Sequence, residues 1–170
     1  MLFFLSSPEY KNWQNNVLKV NVHLTSGIAQ VLENHQDLLG KIENNFVEIE
    51  NNFENKIEKL KFILQDGVFI VSNKGLDSEG MTVYIYAKRA YEINSSFSST
   101  MIISEWEKSK QLLQIEQLKL ANYKADAALK GLKTEEIDKR AKRFDTAINT
   151  IEKDILFFET TLALTKSLKL

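Results

Sequence analysis

The sequence predicts an all-α protein, an elongated antiparallel three-helix coiled-coil bundle that dimerises. Three observations carry this reading. A single Pro in 170 residues leaves long stretches without a helix breaker. Apolar residues recur at heptad spacing from Leu32 onward. Two further apolar seams follow, separated by Gly-containing breaks.

The first helix is expected between about Glu9 and Gln65. Leu32, Leu39, Phe46, Phe53 and Leu60 stand seven residues apart, and His35, Ile42, Ile49, Lys56 and Ile63 follow three residues after each. Eight of these ten are large and apolar, which is the alternating 3-4 spacing of a coiled-coil seam. About 55 residues at 1.5 Å each would reach roughly 80 Å. Gly27 and Gly40 are candidate bends, each about 1 kcal/mol worse than Ala. Residues 66–80 then form a break containing three Gly, within which Val68–Val71 reads as a short strand, a helical continuation or an apolar plug.

The second helix is expected from about Met81 to Leu129. Its seam runs Ile102, Trp106, Ser109, Leu113, Glu116, Leu120, Tyr123, Ala127, with Leu112, Ile115 and Leu118 as a flanking apolar row. Ser95–Thr100 marks a kink. Gly131 reads as a C-cap, Thr134 as an N-cap, and Glu135 and Glu136 suit the first turn of a third helix. The third seam is Ile137, Ala141, Phe144, Ile148, Ile151, Ile155, Phe158, Leu162. Leu39, Ile42, Phe46, Ile49, Phe53, Leu60, Phe144, Ile148, Ile151, Ile155 and Phe158 are therefore the expected core and dimer seam, and apolar residues outside it, such as Leu38, Ile57, Leu112 and Phe157, imply a second face for a homo- or heterodimer partner.

Charge narrows the function. A formal charge of −1 and a pI near 6.2 exclude a broadly basic nucleic-acid binder. The lack of Cys excludes thiol catalysis and thiolate zinc sites. His23 and His35 are the only histidines, and no phosphate loop, HExxH or GxSxG motif occurs, so no catalytic, metal or cofactor site is expected and the chain reads as a non-enzyme. Met1–Leu5 is apolar but lacks the basic residues of a signal peptide, and no stretch of 18 apolar residues occurs. Between Lys119 and Arg143 eight basic residues face four acidic ones, around the turn between the second and third helices. Each basic residue near an anionic leaflet contributes about 1 kcal/mol, so this tip is a candidate peripheral membrane contact.

The order of one very long helix, a Gly-containing break, a second helix, a basic turn and a third helix resembles the BAR domain of sorting nexins. Ser104–Lys108 and the run Leu118–Leu129 are similar to the family's approach to the tip. Phe3-Phe4-Leu5-Ser6-Ser7-Pro8, with Trp13, resembles the exit from the PX domain that precedes such BAR domains. The resemblance implies a lead-in over residues 1–20, a bundle over 21–170 and a crescent-shaped dimer. It implies a module that binds and curves anionic, phosphoinositide-containing endosomal membrane from the cytoplasmic side, with Lys130, Lys133, Lys139, Arg140, Lys142 and Arg143 on lipid headgroups. Two other readings remain at this stage. One is a coiled-coil scaffold or adaptor that binds helical partners without lipid. The other is a helical pore-forming toxin subunit with Val68–Val71 as a concealed membrane tongue.

Overall fold

The computed structural model describes residues 1–11, 13–53, 56–73, 80–94 and 97–168, with the side chains of Phe53, Ser167 and Leu168 outside that set. Among the described residues, eight strands precede two helices: β1 (Leu2–Ser6), β2 (Trp13–Asn16), β3 (Lys19–Leu24), β4 (Gly27–Leu32), β5 (Leu38–Ile42), β6 (Asn45–Phe53), β7 (Lys56–Ser72), β8 (Thr82–Glu92), α1 (Ser99–Leu129) and α2 (Thr134–Leu168). The chain divides into a β unit, Met1–Phe97, and a helical unit, Ser98–Leu170.

This corrects the expected all-α bundle, its long first helix and the BAR resemblance. Residues 1–20 belong to the β unit. Phe3 and Leu5 are fully buried on β1, which pairs with β8 in parallel and with β2 in antiparallel. Residues 19–72 hold five strands where a helix was expected. The expected second helix begins at Ser99, because 82–92 is the strand β8. Val68–Val71 pairs with β5 on one side and β8 on the other, so it is a sheet interior and not a membrane tongue.

The strands follow from alternation. Val20 and Val22 are buried between half-buried Lys19, Asn21 and His23. Such period-2 patterns with β-branched residues fit a pleat with one face inside. The Thr25-Ser26 turn joins β3 to β4, with Gly27 at φ 136° where an L side chain would be strained. The sheet order is β2-β1-β8-β7-β6-β3-β4, with β5 pairing with β7 beyond the end of β6.

Two bends hide this alternation. β6 and then β5 lie along β7 in unbroken register, from Phe53↔Lys56 to Leu38↔Val71. At the junction Asn44 (φ 37°) and Asp66 (φ 47°) adopt left-handed backbone on adjacent segments. The inward set on β7 changes there from Leu60, Phe62 and Leu64 to Phe69 and Val71, and on the neighbouring β6 and β5 from Val47 and Ile49 to Ile42 and Leu38. All of these pack in one core with Phe3, Leu5, Val20, Val22, Val31, Val83 and Ile85. Each fully buried side chain of this size contributes about 1.5–3 kcal/mol.

The expected seam residues of the first 60 positions accordingly scatter. Ile42 and Ile49 are buried, Phe46 and Leu60 half-buried, and Leu39 exposed. Phe53 ends β6 and its side chain is outside the described set. Seven is an odd step, so successive heptad positions alternate between the two faces of a strand.

The face of β6 opposite the core carries Phe46, Glu48 and Glu50. Glu48 accepts from Lys61 at 2.7 Å and lies 3.4 Å from His23 Nε2, while Glu50 pairs with Lys59 at 3.2 Å. Lys61 sits over the Phe46 ring at 4.2 Å, and the His23 ring contacts that ring at 3.7 Å between centroids. Partial burial alone would raise the Glu48 pKa, but the Lys61 ammonium and His23 outweigh it and hold it below the usual 4.5.

Two predictions follow from this unit. A Cβ on Gly40 would run into the ring of buried Phe69 across the ladder, so Gly40→Ala should lower unfolding free energy by about 1–3 kcal/mol in urea titration, and an unchanged midpoint would refute that packing. Because folding depresses the Glu48 pKa, its stabilisation is present above the unfolded value and is lost as pH falls through the lower folded one. Glu48→Gln should therefore be less stable than wild type at neutral pH and converge on it below pH 4.5, as read by thermal melts across that range.

Candidate functional site: the helical hairpin

The helical unit is an antiparallel hairpin. Ser98 Oγ caps α1 by accepting the Thr100 N–H at 3.4 Å. At the other end Gly131 stands at φ 68°, its N–H donating to Ala128 O at 3.0 Å, while the Leu132 N–H donates to Ala127 O at 3.1 Å. These two bonds are a Schellman motif, which needs a left-handed residue at that point and so favours Gly. Lys133 O accepts the Ile137 N–H at 3.1 Å, which makes Lys133 the cap and Thr134 the first helical residue.

The seam periodicity of these two segments is helical. Ile102 and Ala127 are buried on α1, with Trp106, Ser109, Leu113, Glu116, Leu120 and Tyr123 half-buried between them. On α2 Ala141, Ile155 and Phe158 are buried, and Ile137, Phe144, Ile148, Ile151 and Leu162 are half-buried. Tyr123 meets Phe144 at 5.7 Å between ring centroids, and Trp106 Nε1 donates to Glu159 at 3.1 Å. Those two cross-helix contacts fix the antiparallel pairing.

The six basic residues singled out from the sequence are all exposed, and three of them line one groove. Lys130 and Lys133 lie in the turn, and Lys130 is paired with Asp126 at 2.7 Å. Lys142 lies outside the groove described next. Lys139, Arg140 and Arg143 line an open groove along the hairpin with Glu116, Tyr123, Glu136 and Phe144. The Tyr123 hydroxyl is buried in this wall and has no hydrogen-bond partner among the described residues. One turn before Glu116 on the same helix begins an exposed row: Leu112 (50% exposed), Ile115 (48%) and Leu118 (62%). Among the described residues no cluster of metal-ligating side chains occurs, and no helix is long and apolar enough to cross a membrane.

The sequence reading marked the basic residues and the apolar row but missed the groove. Tyr123 was assigned to the seam, and nothing in the sequence shows that its hydroxyl ends in a wall beside three cations. It also missed the His23–Phe46–Glu48–Lys61 cluster, whose signal was the alternation Phe46-Val47-Glu48-Ile49-Glu50.

No protein-family model and no curated protein matches the chain. Among solved structures, it is similar to a chain of the Euglena gracilis mitochondrial ATP synthase, at 17% identity and TM-score 0.46. That match covers 66% of this chain and 64% of the other, just under two thirds of it. It is also similar to a chain of the central stalk and c-ring of the Tetrahymena thermophila mitochondrial ATP synthase, at 12% identity and TM-score 0.40, over 91% of this chain and 95% of that one. At these levels the likeness assigns no function.

The membrane-curving, endosomal reading is nevertheless withdrawn, together with its phosphoinositide surface, its BAR-type dimer partner, the coiled-coil scaffold and the toxin alternative. Each depended on an all-α bundle that a β unit of eight strands replaces.

A buried, unpaired hydroxyl costs about 1–3 kcal/mol. Tyr123→Phe should therefore melt at the same temperature as wild type or higher, with the ring contact to Phe144 retained. A clear loss of stability would show that the hydroxyl is satisfied in solution.

Proposed function

We infer that this chain is a non-catalytic subunit of a larger protein assembly, held there by its helical hairpin. One observation carries the reading. Leu112, Ile115 and Leu118 follow one another along α1, each about half-exposed, on a helix whose seam is already packed on α2. Contiguous apolar side chains at helical spacing on an exposed flank mark a partner surface. The groove farther along the hairpin adds Lys139, Arg140 and Arg143 with Glu116 and Glu136, so the complementary surface is apolar with charged residues of both signs.

The test is the native size of the tagged full chain in extracts of its source cells. Wild type should migrate in a complex far larger than 19.6 kDa, and the variant Leu112→Ser, Ile115→Ser, Leu118→Ser should migrate free, with an unchanged circular dichroism spectrum. Wild type migrating as a free chain overturns the reading. Blotting the same fractions for ATP synthase subunits then asks whether the partial likeness in shape extends to assembly.

A further inference from the structure

β4 ends the sheet, and its six residues, Gly27-Ile28-Ala29-Gln30-Val31-Leu32, carry no charge and no Pro. Its register with β3 is unbroken from Leu24↔Gly27 to Lys19↔Leu32, so no bulge twists it away. Edge strands are ordinarily guarded by a Lys, a Pro, a bulge or a covering segment, because their free backbone groups template pairing. Ile28 (62% exposed) and Leu32 (47%) add apolar side chains at this edge.

The turn fixes which backbone groups point outward. Leu24 and Gly27 close a two-residue hairpin and exchange hydrogen bonds, as does every second pair along it. Ile28, Gln30 and Leu32 fall between, so their N–H and C=O groups aim away from β3. Outside the strand ladders, and among the described residues, one of these six groups has a backbone partner: Leu32 O accepts the His35 N–H at 3.1 Å. A carbonyl has a second lone pair for another donor.

We propose that β4 is a self-association edge, on which two copies of this chain pair β4 to β4, antiparallel, about a twofold axis through Gln30. That register is self-complementary. Gln30 of each copy faces Gln30 of the other, and Ile28 of each faces Leu32 of the other, on one side of the extended sheet. Ala29 faces Val31 on the other side. The nearest charged residue in the chain after β4, Glu33, falls opposite Gly27, so no like charges meet. The outward groups of the three residues supply a continuous ladder. Six residues bury less area than a stable interface of about 1,200–2,000 Å², so the dimer is weak and depends on concentration.

Sedimentation velocity of the full chain over a wide concentration range tests this. Wild type should rise from one chain toward two. Gln30→Lys places two cations face to face, and Gln30→Pro removes an outward N–H without touching the β3 ladder, so each should weaken association by more than about tenfold while the far-ultraviolet spectrum is kept. In a second measurement, amide exchange at Ile28 and Gln30 should slow as wild-type concentration rises. A wild type that stays monomeric, variants that dimerise as wild type does, or exchange independent of concentration would each overturn the proposal. So would a dimer abolished by the Leu112, Ile115 and Leu118 substitutions, which would place the contact on the hairpin.

Discussion

β7 is bonded along one edge to β8 and along the other to β6 and then β5, and the remaining strands hang from this ladder. Seventeen residues in one regular strand would present a single inward set. The left-handed backbone at Asp66, matched by Asn44 between β5 and β6, shifts that set by one position halfway along. Both halves then serve one core. Phe69 completes the arrangement by lying over Gly40, a position with no Cβ to obstruct the ring.

The two units differ in how legible they are. The helical unit writes its structure locally: seams at helical spacing, Gly131 where the turn needs positive φ, and two acidic residues in the first turn of α2. The β unit writes its structure in pairings between distant segments, which a heptad count cannot see. Apolar residues also stand on both of its faces. Phe46 and Ile63, for example, pair on the side opposite Val47 and Phe62. Once both faces hold apolar residues and the phase shifts at 44 and 66, a seven-residue period can be drawn through a strand pattern. The signals that pointed the other way were Val20-Asn21-Val22 and the Asn-rich stretches around 44–45 and 51–52, poor in a helix interior. The groove was not legible at all, because it depends on which α2 residues come to stand beside Tyr123.

Charge plays different parts in the two units. On the sheet, Glu48 and Glu50 are directly opposite Lys61 and Lys59, so the charges support strand register. On the hairpin, Lys139, Arg140 and Arg143 line a groove with Glu116 and Glu136, where no strand register is at stake. A net charge near zero conceals both arrangements.

The parallel pairing of β1 with β8, from Leu2↔Thr82 to Ser6↔Tyr86, joins segments some eighty residues apart. Closing so large a loop is entropically costly, and contacts of that separation slow folding. During synthesis Phe3 and Leu5 can pair with β2 early, but the other edge of β1 has no partner until residues 82–86 have left the ribosome. β1 is therefore made well before the strand that completes its pairing, and for that interval the nascent chain carries an open strand edge beside two apolar side chains.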